Sequence, residues 1–471
     1  MIASRIAPGQ RSRRWRLSQL VAATACAAAV SSTPVPAQQP APAPVSSGAT
    51  AVVGGYLIDG YGGPPVPDSV VLIEGGLIRA VGRVGQLAVP AGARVVDANG
   101  YTVMPGLLDA HVHLDILGHG DYPTWHEMVR GNYAEVMEIS ARQLLAHGVT
   151  TARDAGGELQ ASVRTRDRIA RREIPGPRML VSGGWVQNWT EERTQANYRR
   201  FNLNATTVEE ARRAAAQLFD GGADFIKAYT GLTLEQMRAI TDEAHRRGKR
   251  VGAHVYTDDE IRIAVEGGVD LLDHAGSGHQ NPLYTDETLR LLASRQIPVA
   301  QSIAHRVTLY PAHVAWPERI EDQDLRRELG RFAEPITKSL SHLPALSYFA
   351  QIQLQMRVAP AATRQLAAAG ARIIMGTDSG TPGYFHSEAV WREAEALNRM
   401  AGLSPMDTIV ASTRLTAQAL GVNAGVVAPG RLADVILVRG NPLDDMRALQ
   451  RVEMVIKDGV AYDPSVLRGG R

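Results

Sequence analysis

Residues 103–114 read Val103-Met104-Pro105-Gly106-Leu107-Leu108-Asp109-Ala110-His111-Val112-His113-Leu114. The run is short and apolar, and the polar residues near its end alternate as they do in a strand. His111 and His113 therefore face the same side. Seven further apolar runs follow, at 149–155, 177–182, 223–229, 250–256, 269–275, 297–303 and 371–377. Between them lie Ala/Leu/Arg/Glu-rich stretches such as 208–221, 233–248 and 257–267, several of which end in Gly as helices do. Strand–helix alternation predicts parallel strands with crossover helices. Eight units predict an α/β fold of the (β/α)8 TIM-like barrel type. Two connections are long, 115–135 and 305–360. Both leave the end of the barrel where such folds carry their sites, and a lid is expected there.

The flanks read differently. Segments 51–59, 69–74, 77–84 and 94–96 are short strands between Gly- and Pro-rich turns, and 433–439 and 452–458 repeat the pattern. Residues 50–102 plus 425–465 are thus expected to form one small β-sandwich from both chain ends, beside a barrel at 103–424; two separate end modules are the alternative. Residues 1–37 read as an export signal peptide. Arg5, Arg11, Arg13, Arg14 and Arg16 precede an Ala-rich apolar run at 17–30, and Val35-Pro36-Ala37 offers a cleavage site. The run is shorter than the roughly 20 residues of a membrane span, so no integral span is expected. Ser12-Arg13-Arg14 partly matches a twin-arginine signal, and a Sec or twin-arginine route would place the protein in the periplasm. Cys26 offers the alternative of an acylated lipoprotein. Residues 38–49 read as a Gln/Pro/Ala/Ser linker.

The whole chain has 471 residues, 45% hydrophobic and 21% charged, which excludes a disordered tail or a coiled coil. Its 50 basic and 48 acidic residues give +2, so no nucleic-acid partner is expected. Cleavage after Ala37 would remove five arginines and no acid, turning +2 into −3. One cysteine excludes a disulfide framework and a cysteine-based zinc site. Of the basic residues only four are lysines: Lys227, Lys249, Lys338 and Lys457. A lysine inside an apolar strand of so arginine-rich a chain asks for chemistry that a guanidinium lacks.

That lysine belongs to a pattern. Strand four ends Phe225-Ile226-Lys227, strand five Gly252-Ala253-His254, strand six Leu272-Asp273-His274 and strand eight Gly376-Thr377-Asp378. C-terminal strand ends converge on the barrel axis. Singly, each residue has a plain reading: a satisfied histidine, or a helix N-cap at Asp378. Asp109 is expected to hold the first strand and its turn. Together, His111, His113, Lys227, His254, His274 and Asp378 form a metal-binding set, and imidazoles with carboxylates suit Zn²⁺ and related ions. A protonated Lys227 repels a cation. Carbamylated by CO₂ it becomes a carboxylate able to bridge two metals about 3.5–4 Å apart. A salt bridge to a barrel acid is its other reading.

The motifs 104–113, Gly148-Val149-Thr150-Thr151-Ala152-Arg153-Asp154, Gly376-Thr377-Asp378, Pro429-Gly430-Arg431-Leu432-Ala433-Asp434, Gly440-Asn441-Pro442-Leu443 and Val455-Ile456-Lys457-Asp458-Gly459, in that order, resemble the amidohydrolase superfamily. The likeness is to its imidazolonepropionase-like and metal-dependent dipeptidase (prolidase-like) branch, and it covers nearly all of residues 50–465. It implies a metal-bearing barrel with a β-sandwich built from both chain ends. It implies that His111, His113 and Asp378 bind one divalent ion, that His254 and His274 bind a second, and that a carbamate on Lys227 bridges them. Asp378 would take a proton from the bridging water as hydroxide attacks the carbonyl of a small-molecule amide.

Related chemistries are less well matched. Deaminases of the superfamily carry a Glu three residues after the strand-five His, where this chain has Thr257. Lactone or ester hydrolysis would use the same hydroxide. An inactive binding protein would not need all six positions filled. Tyr229, two residues past Lys227, and His279 and His305, after strands six and seven, are the candidate substrate contacts. Arg306 is read either as a partner for a substrate carboxylate or as a surface residue. A dipeptide or N-acyl amino acid is the expected substrate. A homo-oligomer is compatible with the sequence, which does not fix the oligomeric state.

Overall fold

The computed structural model describes residues 48–196, 199–276, 283–307, 317–341 and 347–469. The expected signal peptide with Cys26, nearly all of the linker, and His279 lie outside them. The strands in chain order are β1 (Thr50–Leu57), β2 (Val66–Glu74), β3 (Leu77–Arg83), β4 (Arg94–Asp97), β5 (Tyr101–Pro105), β6 (Leu107–Val112), β7 (Val149–Asp154), β8 (Arg178–Val181), β9 (Val186–Gln187), β10 (Leu203–Asn204), β11 (Phe225–Ala228), β12 (Arg250–His254), β13 (Leu271–Asp273), β14 (Val299–Gln301), β15 (Ile373–Met375), β16 (Val435–Arg439), β17 (Val452–Lys457) and β18 (Val460–Tyr462).

The opening run 103–114 is two strands, not one. Pro105 ends β5 and Gly106 turns the chain into β6. The Gly106 N–H donates to the carbonyl of Asp434 at 2.9 Å, and the next N–H, of Leu107, donates to Gly148 at 3.0 Å. A Cβ on Gly106 would lie 2.3 Å from the Thr150 side chain, so only glycine lets the chain cross from one sheet to the other here. The boundary expected at 103 therefore falls at 106. Before it, β5 pairs antiparallel with β16, Met104 opposite Ile436, in a sheet ordered β18-β17-β16-β5-β1-β2-β3, with β4 on β1. Both chain ends thus share one eight-stranded sheet. Val52, Val71 and Val103 from one end pack with Val435, Leu437 and Ile456 from the other.

After Gly106 the pairing is parallel. A three-stranded sheet runs β6-β7-β8, and a seven-stranded one runs β10-β9-β11-β12-β13-β14-β15. All eight expected runs form strands, but the third strand resumes beyond its expected run, after a break. Its first piece, β8, pairs with β7 and its continuation, β9, pairs with β11. Gly183 and Gly184 separate the pieces, and a Cβ on Gly184 would meet the Phe201 carbonyl at 2.2 Å. Hydrogen bonds join the two parallel sheets at both margins. Asp224 N–H donates to Val181 at 2.8 Å, and Asp378 N–H donates to His111 at 2.8 Å.

Helices Val208–Asp220, Leu234–Arg246 and Asp258–Glu266 each begin with a reciprocal capping box, at Thr207/Glu210, Thr233/Gln236 and Thr257/Glu260. Their inner faces, through Ala211, Ile240 and Ile261, pack on Ile226, Val251, Leu272 and Val299. The two long connections pack on each other. Ile116, Trp125 and Val129 from the first join Leu329, Phe332 and Ile336 from the second. Among the described residues no helix is long and apolar enough to cross a membrane.

Candidate active site

The C-terminal ends of the parallel strands bring the six expected residues to one place. His111 lies in β6 with His113 just beyond it, Lys227 lies in β11, His254 ends β12, His274 follows β13 and Asp378 follows β15. All six line one cavity of about 300 Å³, together with Trp185, Arg199, Tyr229, Tyr256 and Arg306. Two of them stand on left-handed backbone, His274 at φ 72° and Asp378 at φ 61°. Such a conformation costs a non-glycine residue on the order of 1–3 kcal/mol and persists only where the surroundings impose it. Here the N–H of His274 is held by the Ala300 carbonyl at 3.0 Å, and that of Asp378 by His111.

Three of the four imidazoles are oriented through Nδ1. That of His111 lies 2.9 Å from Asp273 Oδ1, an ion-pair contact off the line of a straight hydrogen bond. That of His113 faces the Gly156 carbonyl at 3.4 Å, and that of His274 faces Ser302 Oγ at 2.7 Å. An oxygen on Nδ1 leaves Nε2 to act as a metal ligand. Indeed, Nε2 of His111 and of His113 lie 3.3 Å apart, with Asp378 Oδ1 at 3.6 and 3.2 Å from them. His111, His274 and Asp378 bring ligand atoms within 4.8 Å of one another. Lone pairs and a carboxylate gathered so closely fit a cation among them.

Asp273 organises the layer beneath. Besides His111, its carboxylate accepts from Arg153 Nη1 and Nη2 at 3.0 and 3.3 Å and from Lys227 Nζ at 2.6 Å. Burial alone would raise its pKa, but Arg153, Lys227 and His111 outweigh that and hold it well below the usual carboxylate range. Asp378 is likewise pushed up by burial and pulled well below that range by His274, His113 and Arg306. Burial takes His111 down to about 4 and Lys227 down to about 8. His254 and His274 also fall well below their usual value, first through burial. His111, His254 and His274 are therefore held neutral, as metal ligation requires.

The family model described as the amidohydrolase family matches residues 102–461. The chain belongs to the amidohydrolase family. An uncharacterised protein of Mycobacterium tuberculosis is 28% identical over 208 residues, covering 43% of this chain and 50% of that relative, so the chain spans about half the length of such relatives. An ochratoxinase of Aspergillus niger is 24% identical over 450 residues, 86% of this chain and 84% of that protein. Among solved structures, a putative prolidase from Bifidobacterium longum is 28% identical with a TM-score of 0.68, covering 88% of this chain and 95% of that one. The expected family is thus found, and a structure of the expected prolidase-like branch is among those the chain is similar to.

The other expected residues of this amidohydrolase take varied places. Asp109 holds the first strand, accepting from Thr377 Oγ1 at 2.6 Å and from the His111 N–H at 3.0 Å. Tyr229 lines the cavity, stacked on Trp185 at 4.1 Å and 4.6 Å from the His254 ring. His305 is buried against Tyr384, with ring centroids 5.4 Å apart, and is not among the residues lining the cavity. Arg306 is no surface residue. It is buried and donates to Asp378 Oδ2 at 3.1 Å and to the Ser302 carbonyl at 2.8 Å. Four contributors were absent from the sequence expectation: Trp185, Tyr256, Arg199 and Asp115. Arg199 donates to both oxygens of Asp115 at 2.8 Å and lies 4.4 Å over the Trp185 ring. A Trp following a Gly-Gly break in a strand was the one local signal for any of them.

Proposed function

We propose that this member of the amidohydrolase family is an exported, metal-dependent hydrolase that cleaves a carbon–nitrogen amide bond in a dipeptide or N-acyl amino acid. One observation carries the reading. Six residues from five separate strand ends meet in one cavity, five of them able to ligate a divalent ion as they stand and Lys227 only as a carbamate. In this reading His111, His113 and Asp378 hold one ion and His254 and His274 the second, with Zn²⁺ the best match to the ligand set. Lys227, carbamylated by CO₂ with loss of a proton, would contribute a carboxylate to both sites. Two ions held there supply Lewis-acid polarisation of the substrate carbonyl and a water acidic enough to act as nucleophile near neutral pH.

The chain's own groups do the rest. Arg306 fixes Oδ2 of Asp378, which leaves Oδ1 to take the nucleophile's proton and pass it to the leaving amine. Tyr229 offers its hydroxyl to a polar group of the substrate, and the Trp185 stack sets the width of the cavity. The relatives named ochratoxinase and putative prolidase support an amide substrate over an ester or lactone. We read β6, β7, β8 with β9, and β11 to β15 as one eight-stranded barrel, supported by the hydrogen bonds at both sheet margins. The two chain ends then form its companion β-sandwich, and residues 1–37 the export signal.

A panel of dipeptides, N-acyl amino acids, esters and lactones, assayed with Zn²⁺, tests the reading. Turnover of amides that disappears on chelation is expected; turnover of esters or lactones alone would overturn it. Lys227→Ala should abolish the activity and acetate should partly restore it, while an unimpaired variant would refute the bridging role.

A further inference from the structure

The turn after β14 touches a residue of each proposed metal site. Ser302 Oγ lies 2.7 Å from His274 Nδ1, and Arg306, four residues on, donates through Nη1 to Asp378 Oδ2 at 3.1 Å. The same Nη1 donates to the Ser302 carbonyl at 2.8 Å, which closes the turn on itself. Residues 303–307 are helical, so Ser302 stands at the position that caps them. A serine there ordinarily accepts from a backbone N–H of the first helical turn. Here its hydroxyl serves the imidazole of His274.

The first N–H groups of that turn are taken from far along the chain. Glu393, in helix His386–Arg399, accepts from Ile303 N–H through Oε1 at 3.1 Å and from Ala304 N–H through Oε2 at 2.8 Å, across 90 and 89 residues of sequence. Its carboxyl is fully buried, on the helix face that carries Val390, Ala394 and Leu397 into the core. An apolar residue would suit that face. A carboxyl is costly to bury unless its oxygens find hydrogen-bond donors, and both oxygens find them in this one turn. Were Glu393 absent, the hydroxyl of Ser302 would be drawn to the Ala304 N–H and away from His274.

We propose that Glu393 is a positioning residue of the metal site: it caps the 303–307 turn in place of Ser302 and so leaves Ser302 to orient His274 as a ligand. The proposal rests on the reading of His274 as a metal ligand given above. Zinc affinity of the full chain, read by competition with a chelator, tests it in the wild type and in five variants: Glu393→Ala, Glu393→Gln, Ser302→Ala, the Glu393→Ala/Ser302→Ala double and Val390→Ala. Glu393→Ala and Ser302→Ala should each bind zinc at least about tenfold more weakly, as loss of the group behind a ligating imidazole does. The double variant should bind no more weakly than the weaker single, because both changes act on one hydrogen bond. Glu393→Gln keeps one acceptor and should fall in between; it decides the matter where Glu393→Ala does not fold. Val390→Ala opens a cavity on the same helix face without touching the turn, so it should lower stability and hold zinc within about twofold of the wild type. Unchanged affinity in either Glu393 variant, effects that multiply in the double variant, or an equal loss in Val390→Ala would overturn the assignment. A wild type that holds no zinc would overturn the metal reading itself, and this assignment with it.

Discussion

The floor and the wall of the strand-end cavity are held in different ways. On the floor, His111, Lys227, His254, His274 and Asp378 sit in or within three residues of a parallel strand, and their geometry follows from backbone pairing. The wall is held by side-chain contacts rather than by backbone pairing. Trp185, Arg199, Tyr256 and Arg306 keep their places through ring stacking and through the Arg199–Asp115 and Arg306–Asp378 ion pairs. Groups that hold metals need placement to within about 0.5 Å, which strands provide, whereas a wall ring such as Trp185, which bonds none of the floor carboxylates, can be exchanged with less effect on the floor. Floor substitutions, and those of Arg306 which holds Asp378, should therefore act on kcat and metal retention, and substitution of a wall ring such as Trp185 on KM.

The largest effect is expected at Asp378. Asp378→Asn should lower kcat by roughly 10²–10⁴-fold with KM little changed, as loss of a general acid–base does. A change in KM alone would break the division between floor and wall. Next comes Asp273, which bonds His111, Arg153 and Lys227 at once. Asp273→Asn should weaken metal retention by about 10–100-fold in a chelator competition, because the carboxylate behind a ligating imidazole is lost. On the wall, Trp185→Leu should raise KM several-fold and leave kcat within about twofold, since one aromatic stack contributes roughly 0.5–1.5 kcal/mol.

Away from the cavity, Thr257→Ala removes one capping box. It should lower unfolding stability by about 1 kcal/mol in a urea titration without touching kcat. A fall in kcat there would show that the floor depends on its supporting helix.

Glu393 sharpens the same point through pH. It is buried, accepts from the N–H groups of Ile303 and Ala304 at 3.1 and 2.8 Å, and is pushed by burial up to about 8. Between the ordinary value of 4.5 and about 8 the folded protein holds a proton that the unfolded chain releases. This residue's contribution to stability is therefore full below 4.5 and is lost as pH rises through 8. Urea midpoints across that range should fall for the wild type and fall less for Glu393→Gln. Equal slopes would remove Glu393 from the account.

The same contrast explains what could be read before the fold was known. The floor was legible because alternate residues of a strand share a face, so a His-x-His pair and the lone ends of four other strands declare themselves locally. Wall residues have no such period. Arg306 looks like any surface arginine until Asp378, 72 residues away, is seen beside it. Arg199 finds Asp115 across 84 residues. Breaks within strands were missed for a related reason. The Gly106 crossing depends on Thr150, and the Gly183-Gly184 interruption on the Phe201 carbonyl, both distant in sequence. His305 follows its strand as expected, but packing on Tyr384 turns it away from the cavity lining.

The central claim is that Lys227 links two metal sites. Elemental analysis of protein produced with zinc, as wild type and as Lys227→Ala, tests it most directly. Two ions per chain in the wild type and fewer than one in the variant are predicted. Fewer than one ion per wild-type chain, or two in the variant, would contradict it.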